Sequence, residues 1–209
     1  MRRWPYTALI ATLVALTACS EAPQKTAEKK EPLPPPEPIS GSSAFFQMYS
    51  AARAWAPDLE VVLLRSLHLP GVKYEPGKAA AWEVRFASQR LQRARSYTYS
   101  TIEAEGNLHK GVFAGLEETW TGPRGPSRPF NFQALKKDST EAYAVAMKKG
   151  KGAAEYSKKN PDKKISFLLE ATSRHPNAAW RVLWGDSVST SNYSVYVDAS
   201  TGDYLETMR

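Results

Sequence analysis

The chain has 209 residues, of which 28 are lysine or arginine and 21 are aspartate or glutamate, so its formal net charge is +7. An aromatic fraction of 11%, with 12 glycines and 15 prolines, excludes a collagen-like chain and a wholly disordered one. The presence of 1 cysteine excludes a disulfide framework and a cysteine-based metal site.

Residues 1–18 are predicted to be a signal peptide. Arg2 and Arg3 supply a positive start, and the apolar run over residues 8–16 follows them. This run is shorter than the roughly 20 residues that a membrane-spanning helix needs. We therefore interpret it as a targeting segment and not as an anchor.

The end of the signal peptide carries a resemblance to a known class of protein. Leu16-Thr17-Ala18-Cys19 resembles the lipobox of bacterial lipoproteins. The resemblance implies that Cys19 is acylated and becomes the mature N-terminus, so that the protein is attached to a membrane by lipid. Ser20 follows Cys19, where aspartate would favour retention in an inner membrane. We expect attachment to the outer membrane facing the periplasm, or to the cell membrane if the source has one membrane.

Residues 19–43 are predicted to be an extended tether. Prolines recur among lysine, glutamate and serine with almost no large apolar residue, so this segment lacks the side chains that a core requires. Its expected function is to hold the folded part of the chain away from the membrane.

Residues 44–122 are predicted to form a first α+β module. Ser42 or Ser43 is the expected cap of a helix over residues 44–55, where apolar side chains recur every three or four positions. Alternating or β-branched stretches predict strands at residues 60–69, 82–86 and 97–102, and a further strand pair through Val112 and residues 117–120.

Residues 123–133, rich in proline and glycine, are predicted to link this module to a second one over residues 134–209. Asp138 with Glu141 matches a capping box, and the helix that follows is predicted to reach Lys159 with a weak point at Gly150 and Gly152. Strands are predicted at residues 165–171, 180–184 and 193–198.

The two halves show a similar order of features. Trp82 and Trp180, and also Tyr97 and Tyr193, recur at an offset of about 100 residues, the scale of one duplicated module. We predict an α+β fold of two tandem modules, each a helix packed on a three- or four-stranded antiparallel sheet. Chance similarity between two ordinary α+β halves is the alternative.

The second half resembles a PepSY-type domain. A helix is followed by the strand at residues 180–184, and residues 197–202 are similar to that family's Val-Asp-Ala-x-Thr-Gly strand and turn. The first half departs from this pattern, because Ile102 stands where Asp198 stands. The resemblance implies a small extracytoplasmic module, associated in some families with binding or inhibiting peptidases.

Catalytic and metal-binding motifs do not assemble in the sequence. Gly185-Asp186-Ser187 resembles the opening of the GDS-type hydrolases, yet no histidine follows it to activate the serine, so we predict a turn. His68, His109 and His175 lack ligand spacing, and neither a metal nor a cofactor is expected. Asp198 is predicted to cap backbone amides at its turn.

Two sets of residues are candidates for binding. One is the set of lysines on the predicted second helix, which either form a solvated face or attract an anionic surface: Lys148, Lys149, Lys151, Lys158 and Lys159. The other is aromatic and either fills the core or forms a binding platform: Trp180, Trp184 and Tyr196.

These observations predict a non-enzymatic, membrane-anchored periplasmic lipoprotein that binds an envelope protein, anionic lipid or peptidoglycan. A periplasmic address argues against nucleic acid as a partner. One alternative is a peptidase inhibitor or chaperone-like factor. Another is an envelope hydrolase that uses carboxylates on one wall of a cleft, with Glu103, Glu105, Glu117 and Glu118 as candidates.

Overall fold

The fold is known from a computed structural model that describes residues 36–106, 108–123, 125 and 127–209. The predicted signal peptide, Cys19 and the tether up to residue 35 lie outside the described residues. The folded part starts earlier than the sequence predicts, with strand β1 at Ile39–Ser40 and helix α1 at Gly41–Ala52. Ser40, and not Ser42 or Ser43, caps α1, because the Ser40 hydroxyl accepts a hydrogen bond from the Ser43 backbone N–H.

Four longer strands of the first half form an antiparallel meander, in the order β2 (Leu59–Leu67), β4 (Ala81–Ser88), β5 (Arg93–Ser100) and β6 (Gly111–Thr119). The two-residue strand β3 (Lys78–Ala79) pairs with β1. The strand pair predicted around Val112 and residues 117–120 is a single strand, β6, with an irregular register opposite Arg95 and Tyr97. A bulge there turns the strand without ending it.

The second half places two helices before four antiparallel strands. After β7 (Ser127–Arg128) and a short 3-10 helix (Phe132–Ala134) come two helices and four strands, namely α2 (Ser139–Lys149), α3 (Ala153–Lys159), β8 (Ile165–Thr172), β9 (Ala179–Trp184), β10 (Ser194–Asp198) and β11 (Tyr204–Met208). The predicted linker is thus partly structured, since β7 pairs with β8. β11 is an additional strand that the sequence analysis did not identify.

The two halves share one sheet and do not form separate ones. Among the described residues the order of the long strands is β11-β10-β9-β8-β2-β4-β5-β6, with β7 beside β8. The first long strands of the halves join them, because β2 and β8 pair antiparallel at Leu64↔Leu169 and Arg65↔Leu168. The architecture is α+β with one large antiparallel sheet.

The helices cover one face of this sheet and enclose a single main core. The strands alternate, so Leu64 and Val84 are fully buried, while their neighbours Arg65 and Glu83 form an ion pair on the opposite face. The largest fully buried side chains are aromatic, among them Trp82, Trp180, Trp184, Tyr193, Phe45 and Phe86. Each of these large rings buries a large apolar area, which stabilises the fold.

Trp82 and Trp180 occupy matching places where the halves meet. The Trp82 indole N–H donates to the Ile39 carbonyl at 3.0 Å, and the Trp180 indole N–H donates to the Lys137 carbonyl at 2.7 Å. Each carbonyl belongs to the residue just before a helix cap, since Ser40 caps α1 and Asp138 caps α2. The two indole rings contact each other edge to face, with 6.2 Å between centroids.

Candidate functional site

Helices α2 and α3 form one bent support. Asp138 and Glu141 make the predicted capping box at the start of α2. The helix does not continue to Lys159: α2 ends at Lys149 with Gly150 as its C-cap, at the weak point that the sequence indicates. Gly152 adopts a φ of 78°, a conformation that favours glycine, and α3 begins after it. The loop between the helices is held firmly, because the Lys151 carbonyl accepts hydrogen bonds from the Tyr193 hydroxyl at 2.7 Å and from Arg209 at 2.9 Å.

The candidate lysines all lie on the solvent side of this support. Ala142, Ala146 and Ala153 face the core, whereas the lysine side chains are exposed. The ion pairs of lysines among the described residues involve other positions, namely Lys78, Lys137 and Lys164. We refer to the five exposed, unpaired side chains as the lysine surface: Lys148, Lys149, Lys151, Lys158 and Lys159.

The aromatic candidates are not accessible. Trp180 and Trp184 are fully buried, and Tyr196 is 5% exposed. The Trp184 indole N–H donates to the Ser157 hydroxyl at 2.6 Å, which ties β9 to α3. These three side chains are packed inside the protein and present no surface to a partner. Of the two roles considered for them, they fill the interior and do not form a binding platform.

A cleft opens where the two halves meet at one end of the sheet. It has a volume of about 360 Å³ and lies between the segment after β2, helix α2 and the segment that joins α3 to β8. We call it the junction cleft. Its lining includes His68, Tyr74, Tyr143, Lys163 and Lys164, with Trp184 at the wall.

His68 and Ser166 lie close together but do not form a nucleophile and its base. His68 Nε2 is 2.8 Å from the Ser166 hydroxyl, and that hydroxyl donates to the Gly185 carbonyl at 2.6 Å. Because a hydroxyl has one proton, His68 Nε2 must carry the proton that lies between the two side chains. Burial lowers the pKa of His68, so the ring is held neutral with Nδ1 as its acceptor.

The three histidines lie in separate places. His109 contacts Glu103, with 2.7 Å between Nδ1 and Oε1, whereas His175 contacts Glu206, with 2.7 Å between Nε2 and Oε1. Within the described part of the chain no three His, Cys, Asp or Glu side chains are grouped so as to hold a metal ion.

The carboxylates proposed for a hydrolase do not share a wall. Glu103 contacts His109, while Glu117 accepts from the Trp55 indole N–H at 3.0 Å and Glu118 pairs with Arg85 at 2.6 Å. Glu117 and Glu118 are neighbours in strand β6, so their side chains point to opposite faces of the sheet. Glu105, beside the turn, is exposed.

The sequence analysis missed a buried polar cluster on the open face of the second half. Glu170 is 7% exposed and its carboxylate is 3.5 Å from the Tyr196 hydroxyl. Burial raises the pKa of Glu170 and raises that of Tyr196 to about 12. Arg181 lies over the Tyr196 ring at 5.1 Å. The signal was available in the sequence, because Glu170 interrupts the apolar run of β8.

The two turns of the second half behave as predicted. Asp198 Oδ1 accepts from the backbone N–H groups of Ser200 at 2.7 Å and Thr201 at 2.9 Å, which caps the turn before β11. Ser187 lies in the loop after β9, where its hydroxyl is 3.0 Å from those of Ser189 and Thr190. Both motifs therefore have structural roles.

Comparison with known proteins adds one distant likeness. No family model matches the chain, and no curated protein matches it. Among solved structures, the crystal structure of a candidate lipoprotein from Clostridium difficile 630 is similar with a TM-score of 0.45 and 10% sequence identity, over 78% of this chain and 91% of that chain. Of the helices in the described residues, none is both long and apolar enough to cross a bilayer.

Proposed function

We propose that this protein is a non-enzymatic binding module of the cell envelope, attached to a membrane by lipid on Cys19, and that its lysine surface binds an anionic envelope component. The observation that carries the proposal is the set of five exposed lysines without ion pairs on a rigid helical support. The lipobox-like end of the signal peptide and Ser20 support an outer-membrane address on the periplasmic side.

The expected strength of this binding fits a tethered protein. A lysine near acidic headgroups contributes about 1 kcal/mol, so five would contribute about 5 kcal/mol. That corresponds to a dissociation constant between about 0.1 and 1 mM. A lipid anchor raises the local concentration to the millimolar range, so a weak surface is sufficient once the chain is attached.

The proposal also includes the finer relation between the halves. We infer that they derive from one duplicated PepSY-like unit, a helix followed by four antiparallel strands. The matching indole bonds of Trp82 and Trp180 to the residue before each helix cap support this inference. The capped turn at Asp198 supports the PepSY-like assignment of the second half.

Co-sedimentation tests the lysine surface. The chain from residue 19 onward carrying Cys19→Ser, which has neither the signal peptide nor the lipid anchor, is mixed with anionic vesicles, zwitterionic vesicles or isolated peptidoglycan. We expect binding to at least one anionic material, and we expect it to weaken as salt rises, because exposed charges are screened over about 8 Å at physiological ionic strength.

A pair of variants separates the lysine surface from net charge. The triple substitution of Lys148, Lys149 and Lys158 by glutamine removes three charges from the surface. The control replaces three exposed cations elsewhere by glutamine: Arg53, Arg90 and Lys110. We expect at least a tenfold loss of binding for the first variant only. Equal binding by both variants, or no binding to any anionic material, would refute the proposal.

A further inference from the structure

Aromatic side chains form part of the wall of the junction cleft. Tyr74 and Tyr143 line it, with the fully buried Trp184 behind them, and Tyr74 is 47% exposed. Trp184 is fixed by its bond to Ser157. A cavity of about 360 Å³ lies within the range of small-molecule sites.

The same cleft offers hydrogen-bond acceptors that the protein leaves free. The Asp162 carboxylate lines the cleft, is exposed and has no partner among the described residues. Asn160 uses its amide N–H to donate to the Tyr156 carbonyl at 2.9 Å, which leaves its side-chain oxygen available. The neutral His68 ring contributes Nδ1 as an acceptor.

Donors are present beside these acceptors. Lys163 and Lys164 both line the cleft, and Lys164 is only loosely paired, with 3.6 Å between its ammonium and the Asp186 carboxylate. Asp162 and Asp186 offset the charge of the two lysines. An anionic ligand would meet Asp162, so the wall is not suited to a carboxylate or phosphate.

We propose that the junction cleft binds a neutral sugar ring, the hexose unit of an envelope glycan. A sugar hydroxyl donates and accepts at once, which suits a wall carrying both kinds of group. The C–H face of the ring packs on an aromatic side chain such as Tyr74, whose ring face is negative. This inference goes beyond the proposed function, because the lysine surface and its anionic partner take no part in it.

Saturation-transfer NMR on the full chain tests the proposal, in a detergent without a sugar headgroup. The probes are glucose and N-acetylglucosamine, with the acyclic polyol sorbitol and acetate as comparisons. We expect saturable binding of at least one of the two sugars in the millimolar range and none of sorbitol. Absence of saturable sugar binding up to tens of millimolar, or tighter binding of acetate than of sugar, would overturn the proposal.

Two substitutions locate the binding. Tyr74→Ala removes an aromatic wall, and Phe46→Ala is its control, since Phe46 is an aromatic side chain outside the cleft with a similar exposure of 49%. We expect at least tenfold weaker sugar binding for Tyr74→Ala and an unchanged affinity for Phe46→Ala. Equal effects of the two substitutions would contradict a site in the cleft.

The result is independent of the lysine surface. The triple glutamine variant at Lys148, Lys149 and Lys158 should bind sugar as the parent does, and added salt should not weaken that binding, because the ligand is uncharged. Loss of sugar binding in this variant would place the sugar on the lysine surface and refute the cleft.

Discussion

Loss of the Asp138 side chain should destabilise two helices, α1 and α2. Its Oδ1 accepts from the Ser139 backbone N–H at 2.6 Å at the start of α2. The same oxygen accepts from the Ser42 backbone N–H at 2.9 Å in the first turn of α1. One carboxylate therefore satisfies N–H groups of both helices and faces the positive ends of both helix dipoles.

The expected cost of Asp138→Ala follows from these contacts. Loss of an N-cap side chain costs about 1 kcal/mol, and loss of a second, charge-assisted bond to Ser42 costs about 1.5–3 kcal/mol. We expect a fall of about 3 kcal/mol in the free energy of unfolding. Asp138→Asn keeps an acceptor but removes the charge from two helix ends, so its expected cost is about 1 kcal/mol.

Urea unfolding followed by tryptophan fluorescence measures both variants. Asp162→Ala is the matched control, because Asp162 is exposed and has no partner among the described residues. Its expected effect lies within about 0.5 kcal/mol. If Asp138→Ala were no more destabilising than Asp162→Ala, the shared cap would make no contribution and the reasoning would fail.

Three further outcomes are expected. Gly41→Ala would place a Cβ atom 2.6 Å from the Trp180 ring, so thermal unfolding should show a loss of about 1–3 kcal/mol, and an unchanged melting temperature would contradict this close packing. Trp82→Phe and Trp180→Phe should each lower the free energy of unfolding in urea by about 2–3 kcal/mol, because each removes an indole hydrogen bond and leaves a cavity. A large difference between the two variants would argue against matching halves. The raised pKa of Glu170 means that the folded state favours its protonated form. The stability that this group contributes is therefore full below the ordinary pKa of glutamate and is lost as pH rises through the folded-state pKa. In thermal scans, Glu170→Gln should be more stable than the parent at pH 7 and equal to it below about pH 4.

Features written in adjacent residues could be predicted from the sequence. The capping box of Asp138 and Glu141, the helix break at Gly150 and the capped turn at Asp198 each depend on a few neighbouring positions. Such signals are local, so the features that they predict do not depend on how distant segments pack.

Features that depend on distant segments could not be predicted in this way. The pairing of β2 with β8 depends on which strand edges meet, and no residue of either strand encodes its partner. The burial of Trp180 follows from that meeting, since its ring packs against Trp82 of the other half. Alternation predicts that a strand buries one face, but it does not predict whether that face is shared.

The junction cleft was out of reach for the same reason. His68 and Tyr74 follow β2, whereas Tyr143 lies in α2 and Asp162 lies between α3 and β8, and no spacing in the sequence relates these three segments. The exposure of the lysines could be predicted more easily, because consecutive charged residues on a helix are exposed in almost any packing. Sequence reasoning identified the charged candidates and missed the concave one.

The place where the folded part begins determines how it bears mechanical load. Strand β1 pairs with β3, the Trp82 indole holds the Ile39 carbonyl, and Gly41 lies against both buried indoles where the halves join. A pull on residue 36 therefore acts on the middle of the molecule and is divided between the two halves. We therefore expect that neither outer strand of the sheet, β6 or β11, is the first to separate under such a pull.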